Sequence, residues 1–101
     1  MRESVVVKGF DWDVGNWPKC GKHGLSRAEV EEVFEGPLML MTDPHLGQQR
    51  MRAIGKTRSG RYVFLVFVIR AVNGRHLIRP ISARYMHQKE ITFYEQQYRK
   101  T

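Results

Sequence analysis

Two stretches decide the fold of this 101-residue chain: Arg61-Tyr-Val-Phe-Leu-Val-Phe-Val-Ile-Arg70 and, beyond Asn73-Gly74, Arg75-His-Leu-Ile-Arg-Pro-Ile-Ser-Ala-Arg84. Eight uninterrupted β-branched, aromatic or Leu residues between two arginines are the pattern of a central strand covered on both faces. Asn73-Gly74 is the strongest short-range hairpin signal, since both residues tolerate the positive φ of a tight two-residue turn. With Val72 opposite Arg75, Arg70 faces Leu77, Val68 faces Arg79, Leu65 faces Ser82 and Val63 faces Arg84. Arg70 and Arg79 then share one side, and Ser82 and Arg84 share the other with Arg61. Pro80 opens a second register, because a proline inside a strand implies an edge or a bulge. A bulge there brings Arg79, Ser82 and Arg84 to one face beside Arg70, and the sequence leaves both registers open.

Working outward, Arg50-Met-Arg-Ala-Ile54 alternates cation and apolar residue, the period-2 signal of a half-exposed strand, and Lys56-Thr-Arg-Ser-Gly60 is turn chemistry. Leu38-Met-Leu-Met41 is a short strand between Pro37 and a loop over Thr42–Gly47. Ser26-Arg-Ala-Glu29 is a capping box with Leu25 and Val30 at the staple positions, and Gly36-Pro37 is a stop signal. A helix over 27–35 follows, with Val30, Val33 and Phe34 inward and Glu29, Glu31, Glu32 and Glu35 on a solvated face. Nearer the N-terminus, Val5–Trp12 reads as a short edge strand. Residues 13–24, with three Gly and one Pro, form an irregular link in which Pro18 opens a single turn and Trp12 and Trp17 plug the core. After the hairpin, Met86 to Arg99 carries Ile91, Tyr94 and Tyr98 at helical spacing. The expected fold is one α+β domain over 1–101: a short N-terminal strand and helices, an antiparallel sheet of about four strands, and a C-terminal helix.

The length suits one domain and excludes large cofactor folds, while 42% hydrophobic and 27% charged residues are ordinary globular usage. A lone Cys20 forms no internal disulfide, and no apolar run approaches a membrane span, so a soluble cytoplasmic protein is expected. Charge is localised. Residues 1–49 hold five Lys/Arg against eight Asp/Glu, whereas residues 50–101 hold twelve against two. Eleven of the seventeen cations are Arg, whose planar fork matches phosphate oxygens. A polyanion partner follows.

Clustered arginines suit phosphodiester cleavage of RNA by its own 2′-OH, a reaction that needs a base, an acid and fixed cations. The acid and base would come from His23, His87, Lys89, Glu90 or Tyr94. No metal or cofactor is expected. Cys20 and His23 lack a second ligand pair at zinc-like spacing, Asp11 and Asp13 fall on opposite sides of an extended segment, and phosphate-loop and dinucleotide motifs are absent.

Phe10-Asp-Trp-Asp13, Asn16, Lys22-His-Gly24, Ser26, Val33-Phe34, Ile54-Gly55, Gly60-Arg61, Ile78-Arg-Pro-Ile-Ser-Ala-Arg84, Glu90 and Tyr94 together resemble the BrnT family of type II toxins, over about residues 10–95. The chain departs from the commoner pattern at Pro80, and at Gln48-Gln49, where an acidic residue usually precedes Arg50. The resemblance implies a RelE/ParE-like fold and a metal-independent endoribonuclease that inhibits translation. It also implies a cognate BrnA-type antitoxin encoded nearby, through which the complex binds operator DNA. With the arginine-rich half, it suggests that Arg79 and Arg84 hold the scissile phosphate. Arg61, His23, Glu90 and Tyr94 would then be the catalytic or positioning groups, and Arg50, Arg52, Arg70 and Lys22 the RNA contacts. The alternative is a non-catalytic basic interaction module, a decayed toxin or corepressor subunit, binding an antitoxin or nucleic acid.

Overall fold

Asn73 and Gly74 adopt φ of 51° and 79°, and the turn they make joins the two longest strands of the sheet. A computed structural model of the chain describes residues 7–42 and 50–99, and the side chains of 98 and 99 lie outside it. The elements are β1 (Val7–Phe10), a 3-10 turn (Lys19–Gly21), α1 (Arg27–Val33), β2 (Leu38–Thr42), β3 (Met51–Lys56), β4 (Tyr62–Val72), β5 (Arg75–Tyr85) and α2 (Gln88–Arg99). The expected strand positions Val5 and Val6, most of the loop after Thr42, Gln48-Gln49 and the Tyr98 side chain fall outside the described residues.

The sheet has five strands in the order β1-β5-β4-β3-β2, so the expectation of about four antiparallel strands is corrected. β2 to β5 form the antiparallel meander, and β1 adds a fifth strand parallel to β5. The parallel pairing follows from the strand directions: β2 runs opposite to β1 at the far edge of the sheet, and three antiparallel steps from β2 bring β5 back beside β1 in the direction of β1.

Between β4 and β5 the register shifts at Val66/Phe67, leaving Ile81 as the bulged residue. Val68 pairs with Arg79 and Phe67 with Pro80, but Val66 pairs with Ser82 and Phe64 with Arg84. This is the second of the two registers open from sequence. The backbone partners explain it. β1 hydrogen-bonds to β5 only as far as Ile78, whose carbonyl accepts Asp11 N–H at 2.8 Å, and Asn16 Nδ2 donates to the Pro80 carbonyl at 2.9 Å. Pro80, which has no N–H to give, thus falls where the neighbouring strand has ended.

Alternation along β4 divides the sheet. Val63, Leu65 and Phe67 are buried beneath α1 with Val30, Val33, Leu25, Ala53, Ala83 and Cys20. Gly55 is needed here, because a Cβ would meet Val33 Cγ1 at 3.1 Å and the Pro37 carbonyl at 3.3 Å. Trp12 and Trp17 meet edge to face at 5.5 Å against this core, as plugs. The capping box of Ser26 and Glu29 is formed in both directions, and Leu25 and Val30 are buried together. The acidic side of α1 is not simply solvated. Glu31 accepts Trp12 Nε1–H at 2.9 Å, while Glu32 and Glu35 hold Arg58 of the β3–β4 turn.

The opposite face of β4 carries Tyr62, Phe64, Val66, Val68 and Arg70. α2 covers only one end of it, where Tyr94, Met86 and Ile54 are buried with Phe64 and Ile91 against them. Val66 and Val68 stay half-buried, so the central strand is covered from Val63 to Phe67 on one face and only partly on the other.

Candidate functional site

The bulge sets the arginines. On the α2 face, neighbouring rows of the sheet carry Arg84 beside Phe64, Ser82 beside Val66 and Arg52, Arg79 beside Val68, and Arg70 beside Leu77. Without the extra residue Arg84 would have pointed into the α1 core. Arg79 and Arg84 therefore share a face. Their partners Val68 and Phe64 are four residues apart on β4, roughly 13 Å along the backbone at the rise of a strand.

Each arginine is already held by carboxylates. Arg84 makes a two-pronged pair with Glu90, both contacts at 2.8 Å, and its guanidinium lies 4.2 Å from the centre of the Phe64 ring. Glu90 Oε1 also accepts the His87 backbone N–H at 2.8 Å, which fixes the start of α2. The Arg84 hydrogen bonds, with help from the His87 N–H, hold the Glu90 carboxyl below the usual carboxylate range and outweigh its partial burial. Arg84 is raised in turn, chiefly by Glu90. His87, Lys89 and Glu90 thus stand together at the first turn of α2, beside Arg84.

At the other end, Arg79 donates to Asp11 at 3.2 Å and to Asp13 at 2.9 and 3.1 Å, and Arg70 donates to Asp11 at 3.1 Å. The two aspartates converge, which corrects the expectation that they fall on opposite sides, since residues two apart in an extended segment share a side. A turn then fixes them. The Asp13 carbonyl accepts Asn16 N–H and Trp17 N–H at 3.1 and 2.8 Å, and buried Asn16 ties Asp11 and Asp13 to Pro80. Gly15 leaves room for the guanidinium, since a Cβ would sit 2.8 Å from Arg79 Nη2. Arg79 and then the Gly15 N–H lower the Asp13 carboxyl.

The remaining expected site residues are scattered. Arg61 lies on the α1 side, 4.1 Å from the Tyr85 ring centre and 3.4 Å from Glu29, because odd positions at this end of β4 face the closed core. Tyr94 is 2% exposed and donates its hydroxyl to the Pro37 carbonyl at 2.9 Å, which makes it a packing residue that closes the sheet end. His23 and Lys22 are exposed in the turn before α1, whose neighbours Cys20 and Leu25 pack on the α1 face. Arg61, His23 and Lys22 are not brought to Arg84, and Tyr94, in the cluster that includes Phe64, is turned to Pro37. Arg52 is on the Arg84 face, in the row between Arg84 and Arg79, and half-buried Arg50 precedes it at the start of β3. Cys20 is buried, which pushes its thiol up to about 11 and leaves it a poor nucleophile at neutral pH. Among the described residues no three His, Cys, Asp or Glu side chains gather as a metal site. None of their helices is long and apolar enough to cross a membrane.

Sequence reasoning named Phe64 only as a strand residue and did not single out Phe93. Both belong to the same place, a cavity of about 220 Å³ between the sheet and α2, lined by Met41, Arg52, Ile54, Phe64, Lys89, Glu90 and Phe93. Spacing could have found it, since Lys89, Glu90 and Phe93 fall on one side of a helix at i, i+1 and i+4.

Fold and charge define a class: a small α+β domain whose sheet keeps one face for packing and the other for arginines beside a helix-walled groove, a surface suited to polyanions. The chain belongs to the family described as ribonuclease toxin, BrnT, of type II toxin-antitoxin system, which matches residues 12–90. That span takes in β2 to β5 with the Arg79 and Arg84 positions and reaches Glu90. No individual curated protein matches the chain significantly.

Proposed function

We propose that this chain is a metal-independent endoribonuclease, the toxin of a type II pair, which cleaves RNA and thereby arrests translation in the cytoplasm. The observation that carries the reading is the Arg84–Glu90 pair, whose Glu90 lines an open groove with Arg52 and Lys89, inside the span matched by a ribonuclease toxin family. Arg84 exchanges part of its bonding to Glu90 for a phosphate oxygen and stabilises the charge that builds as the ribose 2′-oxygen attacks phosphorus. The new O2′–P bond forms as the P–O5′ bond breaks, leaving a 2′,3′-cyclic phosphate and a free 5′-OH. A base accepts the 2′-OH proton and an acid protonates O5′. His87, Lys89 and Glu90 are the candidates, all at the start of α2, and imidazole suits both roles. Glu90, drawn down by Arg84, is the weaker base, and its part is to orient the guanidinium. Arg52 and Lys89 contact the flanking backbone, while Arg70 and Arg79 contact a phosphate farther along the strand.

Membership of a type II family implies an antitoxin partner. A BrnA-type antitoxin encoded beside this chain would neutralise it and carry the complex to operator DNA. Arg79 favours a second role. Only 17% exposed and held by two aspartates, it braces the N-terminal segment as much as it offers charge.

The test is cleavage of labelled RNA by purified protein with and without EDTA, alongside Arg84→Ala and Arg79→Ala. Scission that survives EDTA and falls by about a hundredfold in Arg84→Ala supports the reading. A folded protein that binds its antitoxin and cuts no RNA, on or off the ribosome, overturns it in favour of the non-catalytic interaction module.

A further inference from the structure

Phe93 is 44% exposed, although the buried line of α2 is Ile91 and Tyr94. A single exposed apolar residue is ordinary on a protein surface. Phe93 is different in its setting. It lines the 220 Å³ cavity together with Lys89 and Glu90 of the same helix, facing Arg52, Ile54 and Phe64 of the sheet. The cavity is smaller than the pockets that take drug-sized molecules. An aromatic wall beside cations that suit a phosphodiester backbone is the combination by which single-stranded nucleic acid is held, its bases stacked and its phosphates paired. Arg84, 4.2 Å from the centre of the Phe64 ring and bonded to Glu90, adjoins two of the lining residues. Glu90 lines the cavity too and adds an acceptor for an N–H on a base edge.

We propose that this cavity is a nucleobase subsite in which an unpaired base of the RNA stacks on Phe93, placing the adjoining phosphate at Arg84. The inference rests on the ribonuclease reading for the identity of the strand, and it adds that the substrate must present an unstacked base there. Duplex RNA, whose bases are engaged with one another, cannot fill the subsite. Phe93 also lies beyond the residues matched by the family, so the subsite is argued from this chain alone.

The probe is a short single-stranded oligoribonucleotide, 2′-O-methylated throughout so that it cannot be cut, with the fluorescent base 2-aminopurine placed at each position in turn. Binding is read by anisotropy and stacking by quenching, for the parent, Phe93→Ala, Phe93→Leu and Phe93→Trp, with melting curves to show that each is folded. The expected result is quenching at one position in the parent, about tenfold weaker binding by Phe93→Ala and Phe93→Leu, and recovery by Phe93→Trp. Duplex of the same sequence binds without that quenching. Parent-like affinity in Phe93→Leu, or affinity and quenching unchanged in Phe93→Ala, overturns the subsite and leaves the ribonuclease reading standing. Loss of antitoxin binding in Phe93→Ala, with the oligonucleotide bound as before, likewise overturns it in favour of a protein contact. Phe93-dependent quenching by a parent protein that cuts no RNA keeps the subsite and overturns the ribonuclease reading. A folded parent that neither cuts nor binds overturns both.

Discussion

The two faces of β4 are made by alternate residues of the same eleven, yet they have opposite fates. Val63, Leu65 and Phe67 are sealed under α1, and charged groups on that side serve to fasten the helix: Glu29 to Arg61, and Glu32 and Glu35 to Arg58. On the other face α2 seals only the rows of Tyr62 and Phe64, and the arginines there are held by carboxylates: Arg84 by Glu90 of α2, and Arg70 and Arg79, beyond the helix, by Asp11 and Asp13. One face carries stability and the other, on the function proposed above, keeps binding capacity, a division that local stability is expected to follow.

Substitutions should separate these roles. The largest effect is expected at Leu65→Ala on the closed face, where removing a fully buried side chain costs about 2–5 kcal/mol, read as a lowered urea midpoint. A loss below about 1 kcal/mol there would mean that the α1 face is not the structural one. Arg84→Ala on the open face should lower the cleavage rate by about 10²-fold with little change in unfolding, and Arg84→Lys should not restore it, because the two-pronged geometry is lost. Equal damage to rate and stability would erase the distinction between faces.

Asn16→Ala tests the segment that bridges them. Its buried amide bonds to Asp11, Asp13 and Pro80, so the substitution should cost about 1–3 kcal/mol and loosen the aspartates around Arg79. The smallest effect is that of pH on Glu90. Its carboxyl is depressed in the folded protein, so its contribution is complete above the range where a free Glu titrates and disappears as the pH falls through the lowered value. Glu90→Gln should therefore be less stable than the parent by about 0.5–1 kcal/mol at neutral pH, with the gap closing in acid. A gap that persists at low pH would show that the pair's charge is not what stabilises it.

Much of this was legible in the chain because it is local. The capping box, the staple of Leu25 and Val30 and the turn at Asn73-Gly74 each depend on residues within a few positions, and all three form. The fifth strand was not legible as part of the main sheet, since four residues carry no signal of which edge they join or in which direction. The site was legible in residue type more than in grouping. Arg84 and Glu90 were named and meet, whereas His23 and Arg61 were named with them and lie elsewhere, and Tyr94, on the same side as Arg84, is buried with its hydroxyl on the Pro37 carbonyl. Proximity in sequence and chemical aptitude do not say on which side of a strand a residue falls.

The sequence by itself determined that this is an α+β domain with a basic C-terminal half and the blocks of a toxin family, because hydrophobic period, turn residues and motif spacing are properties of the chain alone. Only the tertiary structure decided that Arg79 and Arg84 share a face and that Asp11 and Asp13 converge on Arg79. Only it put Phe93 and Arg52 in the lining of one cavity. Side chains alternate along a strand with a period of two, so the one extra residue at Ile81 reverses every position after it. Whether that residue is accommodated depends on where β1 ends and on what Asn16 can reach, contacts made across the fold.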